Sequence, residues 1–214
     1  MFVSDWMTRK VFTLIPNDAI SQAVKLIGEK KIKHIPVAKD GRIKGIISDG
    51  DIHEFMPSRA TCLDIYELHY LLEKTKVREI MKTSVITVHK DTPVEEAAMI
   101  MYDHNIGCLP ILEGGIISGI ISDRDIFRAL VDITGVRHGG HRLSLTVEDR
   151  PGSIREVADI IRKHGFSLQS IMTSYEKIAS GHRHIVVRAK GRGGFAQLKA
   201  ELTGSYQGVR IKKG

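Results

Sequence analysis

The chain has 214 residues, 42% of them hydrophobic and 27% charged, with a formal net charge of +7. That supplies apolar material for one large or two modest cores and argues against disorder. No run approaches the roughly 18 apolar residues of a membrane helix. Met1-Phe2-Val3-Ser4-Asp5 lacks the basic-then-apolar pattern of a signal peptide, and Cys62 and Cys108 alone cannot build a disulfide framework or a four-cysteine zinc site. The expectation is a folded cytoplasmic protein with no metal site.

In chain order, the first two thirds are an internal repeat. A shift of 74 residues aligns 3–54 with 77–128 without a gap, and 16 of 52 positions are identical. Among them are Met7/Met81, Thr13/Thr87, Pro36/Pro110, Gly45/Gly119, Ser48/Ser122 and Asp51/Asp125. Two copies of a supersecondary unit usually pack together, because one copy cannot bury its apolar face alone.

Each copy opens on a β-rich run, Val11-Phe12-Thr13-Leu14 or Val85-Ile86-Thr87-Val88. A helix follows, with apolar residues at i, i+3, i+4 and i+7: Ile20, Ala23, Val24, Ile27, and Val94, Ala97, Ala98, Met101. In the second copy Thr92 reads as the N-cap and Pro93 as the first helical residue. Next come a strand ending at Pro36-Val37 or Pro110-Ile111, a turn at Gly41 or Gly115, a second strand, and a helix opening at Asp51-Ile52 or Asp125-Ile126. The unit is strand–helix–strand–strand–helix. Leu63–Leu72, between the copies, reads as a helical linker.

Residues 141–214 repeat nothing. They carry 14 Lys+Arg against 6 Asp+Glu, while residues 1–140 carry 18 against 19, so the whole basic excess lies here. Leu143–Val147 alternates as a half-buried strand, Asp149-Arg150-Pro151-Gly152 is a turn, and Ile154, Val157, Ala158 and Ile161 form a helical stripe ended by Gly165. Strands at 167–174 and 182–189, a helix at 195–202 and a strand at 206–211 complete a βαββαβ order. That order implies a ferredoxin-like sheet with its helices on one face. The fold class is therefore α+β, in four parts: 1–56, 57–76, 77–135 and 141–214.

The most informative string is Gly45-Ile46-Ile47-Ser48-Asp49-Gly50-Asp51 and its copy Gly119-Ile120-Ile121-Ser122-Asp123-Arg124-Asp125. A serine at a strand-to-helix junction, beside free helix N–H groups, can meet an anion. An aspartate three residues on suits the paired hydroxyls of a ribose. The same two residue types are also favoured helix caps, so one copy alone would read as a cap. Two copies at the same spacing, taken with the family resemblance they carry, favour a ligand.

This string, its tandem repetition and the Met, Thr and Pro landmarks resemble the CBS-domain pair, or Bateman module, over about residues 1–135. The resemblance implies adenosine ligands (AMP, ADP, ATP or S-adenosylmethionine) as regulators rather than catalytic cofactors. It implies that Asp51 and Asp125 hold ribose hydroxyls, and that Ser48 and Ser122 face phosphate or ribose. Backbone at Lys10-Val11 and Ser84-Val85, with His34, Ile35 and Pro36 and with Cys108, Leu109 and Pro110, would frame the base. Arg124, where the first copy has Gly50, would favour a more anionic ligand at the Asp125 site. Residues 141–214 resemble an ACT domain through the βαββαβ order and the Asp149–Ile154 turn. That likeness implies an amino-acid site at Asp149, Arg150, Gly152, Ser153 and Ile154, or dimerisation alone. Taken whole, the chain resembles the AcuB-type acetoin-utilisation family.

Three classes of function are then distinguishable. No Walker loop, Gly-x-Ser-x-Gly elbow or His-Glu-x-x-His is present, which disfavours an enzyme and leaves no catalytic residue to name. Ten histidines raise a metal, but His182/His184 and His138/His141 have no cysteine or carboxylate partners at metal spacing. The basic C-terminal part, through Arg188–Gly194, offers nucleic-acid or acidic-partner binding as the alternative. The main expectation is a homodimeric, non-enzymatic sensor of adenine nucleotide acting on an unspecified protein target, with no membrane partner.

Overall fold

The computed structural model describes residues 1–56 and 64–212. Cys62 and residues 57–63 of the expected linker lie outside the described residues. The chain divides into two compact units, Met1–Ile126 and Phe127–Gly214.

In the first unit, copy one contains α1 (Val3–Trp6), α2 (Ile20–Lys30), β1 (His34–Lys39), β2 (Arg42–Ser48) and α3 (Asp49–Phe55). Then come α4 (Ile65–Lys74) and copy two: α5 (Val77–Ile80), α6 (Val94–Asp103), β3 (Cys108–Glu113), β4 (Ile116–Ser122) and α7 (Asp123–Ile133), which runs past the unit boundary. The hairpins β1–β2 and β3–β4 are antiparallel and share one register, with His34 opposite Ser48 and Cys108 opposite Ser122. Helix α4 is the expected linker helix, beginning where the Asp64 N–H donates to Glu67. It packs on α2 and lends Leu72 to the core of the first copy.

The leading strand of each copy is shorter than its β-rich run suggests. It reduces to one parallel bridge, Leu14 with Val37 and Val88 with Ile111. The Leu14 N–H donates to the Pro36 carbonyl and the Ala38 N–H donates to Leu14; Val88, Pro110 and Leu112 repeat the pattern. Extending the ladder backwards would need the N–H of residue 36 or 110. Both are proline, which has none.

Thr92 is not the N-cap of α6; that place falls to Pro93, with no side-chain cap. A hydroxyl is not needed there, because the Val94 N–H donates to the Met1 carbonyl. The Ile20 N–H of α2 donates in the same way to Thr75. Each helix start is closed by the chain segment that leads into the other copy.

That exchange is the organising feature of the unit. Val77 and Met81, which open copy two, pack in the core with Ile20, Ile35 and Ile47 of copy one. Val3 and Met7, which open copy one, pack with Leu109, Ile111 and Ile121 of copy two. Reciprocal backbone bonds join Lys82 to Ile46 and Thr8 to Ile120, at 2.9–3.0 Å. The two copies are thus clasped by swapped N-terminal arms. Each fully buried Ile or Leu in these cores contributes about 1.5–3 kcal/mol.

The second unit has β5 (His141–Glu148), α8 (Ser153–Lys163), β6 (Phe166–Ser174), β7 (His182–Gly191), α9 (Phe195–Ser205) and β8 (Gln207–Lys212). The antiparallel sheet has the order β6-β7-β5-β8, the ferredoxin-like arrangement expected from βαββαβ. Alternation does the sorting. Leu143, Leu145 and Val147 of β5 and Ile185, Val187 and Ala189 of β7 face Val157 and Ile161 of α8 and Leu198 and Leu202 of α9. Gly165, at φ +81°, ends α8 in the left-handed region that favours glycine.

Most of the basic stretch proposed from sequence as a nucleic-acid loop is strand. Arg188 donates to the carbonyls of Thr134, Gly139 and Gly140, and Lys190 donates to that of His138. These cations satisfy carbonyls of the segment that leads into β5.

Candidate functional site

The repeated Ser-Asp string forms the same cradle twice. Ser48, in extended conformation, is the N-cap of α3 and accepts from the Asp51 N–H at 3.1 Å. In return its own N–H and hydroxyl donate to Asp51 Oδ2, at 2.8 and 2.5 Å. At the start of α7 the Ser122 N–H and hydroxyl donate to Asp125 Oδ2, at 3.0 and 2.8 Å. At α3 this is a capping box with aspartate as the reciprocating residue, and Ser122–Asp125 repeats the reciprocating half. The residues expected from sequence to grip a ligand are therefore also the helix cap, a carboxylate held still at a helix N-terminus.

The arm exchange adds a residue that the string does not contain. Lys82 Nζ lies 3.0 Å from Asp51 Oδ1; the lysine side chain is 70% exposed and the aspartate only 9%. Burial works to raise the Asp51 carboxyl, but hydrogen bonds from Ser48 and then Lys82 outweigh it and hold the group below its ordinary value. The hydrogen bond to Asp51 pushes Lys82 the other way, upward. The position equivalent to Lys82 in the other arm is Thr8, beside β4. Sequence reasoning missed Lys82 because it belongs to the opposite copy.

His34 and Cys108 begin the two inner strands, each opposite its cradle serine. His34 also crosses to the second copy: a Cβ placed on Gly107 would stand 2.9 Å from His34 Cε1 and 3.8 Å from Asp123 Oδ2. Burial lowers the His34 imidazole, partly offset by the negative charges of Asp123 and Asp51. Cys108 is buried, and burial followed by the Asp123 charge pushes its thiol up to about 12. It stays a neutral thiol rather than a nucleophile.

Ile35 and Leu109 are fully buried in the two cores, so they offer a ligand backbone only. Pro36 and Pro110 are buried beside them. Lys10-Val11 follow Thr8 in the arm that pairs with β4, and Ser84-Val85 follow Lys82 in the arm that pairs with β2. Each arm therefore accompanies the cradle of the other copy. Arg124 is exposed on the first turn of α7.

These features are those of tandem CBS motifs, and a CBS-domain family model matches residues 3–58 and 77–132. The chain belongs to the CBS-domain family. An ACT domain model matches residues 141–204. The CBS domain-containing protein YhcV of Bacillus subtilis is 31% identical over 124 residues, covering 58% of this chain and 81% of that protein. Homoserine O-acetyltransferase of Methanococcus vannielii is 30% identical over 126 residues, but the match covers only 24% of the enzyme. Among solved structures, an acetoin utilization protein (AcuB) from Vibrio cholerae is 27% identical with TM-score 0.53, covering 64% of this chain and 96% of that one. CBSX2 in complex with AMP and the CBS domain pair of MJ0100, in complex with 5′-methylthioadenosine and S-adenosyl-L-methionine, are each 28% identical with TM-score 0.51. Each covers 62% of this chain and 97% of its own.

In the ACT unit, the expected turn residues separate. Arg150 and Ser153 line a cleft of about 440 Å³ with Glu148, Glu156, His182 and Tyr206; Asp149, Gly152 and Ile154 do not. Arg150 is engaged by Glu148 at 2.9 Å and by both oxygens of Glu156 at 2.8 Å. Ser153 is buried and accepts from Arg183 Nη2 at 2.9 Å. Gly152 adopts φ +89°, and a Cβ there would meet open space, so conformation alone accounts for the glycine. Ile154 packs at the edge of the core. Among the described residues no group of three His, Cys, Asp or Glu could hold a metal ion, and no helix is long and apolar enough to cross a membrane.

Proposed function

We propose that this protein is a non-enzymatic regulatory sensor whose CBS pair takes adenine nucleotides or S-adenosylmethionine at two sites, one on Asp51 and one on Asp125. The observation that carries this reading is the duplicated cradle, in which serine and a helix N-terminus fix a carboxylate in the same geometry twice. A fixed carboxylate suits a vicinal diol, and the adjoining helix N–H groups suit an anion. AMP and S-adenosyl-L-methionine bound in CBS neighbours support the ligand class.

Ser48 and Asp51 serve one site with Ser84-Val85; Ser122, Asp125 and Arg124 serve the other with Lys10-Val11. His34 to Pro36 and Cys108 to Pro110 line the strand ends between them. Ligand binding shifts the balance between two arrangements of the clasped copies, by no more than its difference in affinity for them. The ACT unit adds an amino-acid input at the Arg150–Ser153 cleft, with a homodimer as the acting species in the cytoplasm. The AcuB neighbour supports a place in the control of acetoin utilization. The rival reading, a polyanion binder acting through residues 188–194, is weakened because Arg188 and Lys190 are bonded to backbone carbonyls.

A thermal-shift screen against AMP, ADP, ATP, S-adenosylmethionine and the amino acids tests the reading, with Asp51→Ala and Asp125→Ala alongside. A ligand at 100 times its Kd adds about 2.7 kcal/mol of stability. Stabilisation by adenine ligands that an aspartate variant loses is the expected result. Stabilisation by none of them overturns it.

A further inference from the structure

Asp51 and Lys82 differ in freedom. The carboxylate is 9% exposed and tied through Oδ2 to the Ser48 N–H and hydroxyl. The ammonium sits on a four-carbon stem that is 70% exposed and reaches Oδ1 from the other repeat. A ribose diol gripping Asp51 through both oxygens must compete with this ammonium for Oδ1. The lysine end of the pair is open to solvent, so releasing the ammonium costs little once ribose hydroxyls take its place on the carboxylate. What happens to the released charge then depends on the ligand. Against a neutral nucleoside it gains nothing, whereas against a phosphate it forms a charge-assisted contact stronger than the one it left.

We propose that Lys82 is the specificity-determining residue of the Asp51 site: it occupies Asp51 Oδ1 when the site is empty and transfers to the phosphate when a nucleotide binds. The site thereby discriminates against unphosphorylated adenosine and for AMP. This rests on the reading of Asp51 as a ribose acceptor. The other cradle supplies an internal control, because Thr8 stands where Lys82 would and makes the same reciprocal backbone bonds with Ile120 that Lys82 makes with Ile46. A threonine at this place is therefore compatible with the fold. Lys82 also means that both sites carry a cation, one from the opposite arm and one, Arg124, on the local helix. The contrast expected from Gly50 and Arg124 alone is correspondingly smaller.

The test is calorimetric titration of adenosine and AMP into the full chain carrying Asp125→Ala, so that the Asp51 site is read alone. Lys82→Thr is expected to weaken AMP about tenfold and to leave adenosine equal or slightly tighter, with the AMP effect shrinking at high salt. Lys82→Arg, which keeps the charge, is expected to retain most of the preference for AMP. Loss of both ligands by the same factor in Lys82→Thr, or an unchanged AMP-to-adenosine ratio, overturns the proposal while leaving the sensor reading intact. Failure of both ligands to bind when Lys82 is present overturns the reading of Asp51 as a ribose acceptor, and this inference with it.

Discussion

Gly45 lies directly under Met81: a Cβ on the glycine would stand 2.7 Å from the methionine Sδ and 2.8 Å from the Lys82 carbonyl oxygen. Gly119 meets Met7 in the same way, at 2.7 Å from Sδ, but the nearest backbone, the Thr8 oxygen, is 3.3 Å away. The glycines of the repeated string thus make room for the exchanged arm of the other copy. The landmark methionines are its anchors.

The two contacts predict unequal costs. A methionine tip can move aside, whereas a hydrogen-bonded backbone carbonyl cannot do so without shifting the arm. Gly45→Ala is expected to destabilise the protein by about 2 kcal/mol and Gly119→Ala by about 1 kcal/mol, within the usual range for overpacking. Urea unfolding midpoints of the two variants check the order.

His34 gives a pH dependence with a definite sign. Burial lowers its pKa from the ordinary 6.5, against the opposing charges of Asp123 and Asp51 and with the help of Lys33 and Lys82. The unfolded chain therefore takes up the proton first as pH falls. The contribution of neutral His34 is fully present above 6.5 and is lost as pH drops through the lower folded value. Melting temperature should rise with pH across that window, and His34→Gln should flatten the rise.

Asp51→Ala removes the return half of the capping box as well as the partner of Lys82. The unliganded variant is expected to lose about 1 kcal/mol, the usual worth of a cap. Its carboxyl is held below the ordinary 3.8, so the stabilisation is present above 3.8 and disappears as pH falls through the lower folded value. Chemical denaturation of the unmodified protein and the variant at neutral and acid pH should show the gap closing on acidification.

In the ACT unit, Ser153 is the side chain whose loss should be felt most locally. It is buried and receives Arg183 Nη2, whose neighbouring Nε is buried without a hydrogen-bond partner and lies 3.5 Å from Asp149 Oδ1. Ser153→Ala leaves a second guanidinium nitrogen short of an acceptor and should cost about 1–3 kcal/mol. Arg150→Ala, which breaks pairs open to solvent, should cost under about 1 kcal/mol. Thermal unfolding separates the two.

Much was legible without coordinates because it is local or periodic. The 74-residue repeat, the amphipathic stripes around Ala23 and Ala97, the glycine ending α8 and the βαββαβ order all leave marks at fixed short spacings. The Ser48–Asp51 and Ser122–Asp125 cradles were legible for the same reason, since their partners stand only three positions apart. The shortened leading strands were written at Pro36 and Pro110, although reading them required knowing which strand lay alongside.

What the tertiary structure alone decided is who partners whom across the repeat. The assignment of the Met81 arm to the first copy and the Met7 arm to the second, the meeting of Lys82 with Asp51 and the approach of His34 to Gly107 all join residues far apart in the chain. Two copies of one unit offer each arm two similar docking places. The choice is settled by packing into a finished core, which leaves no periodicity in the sequence.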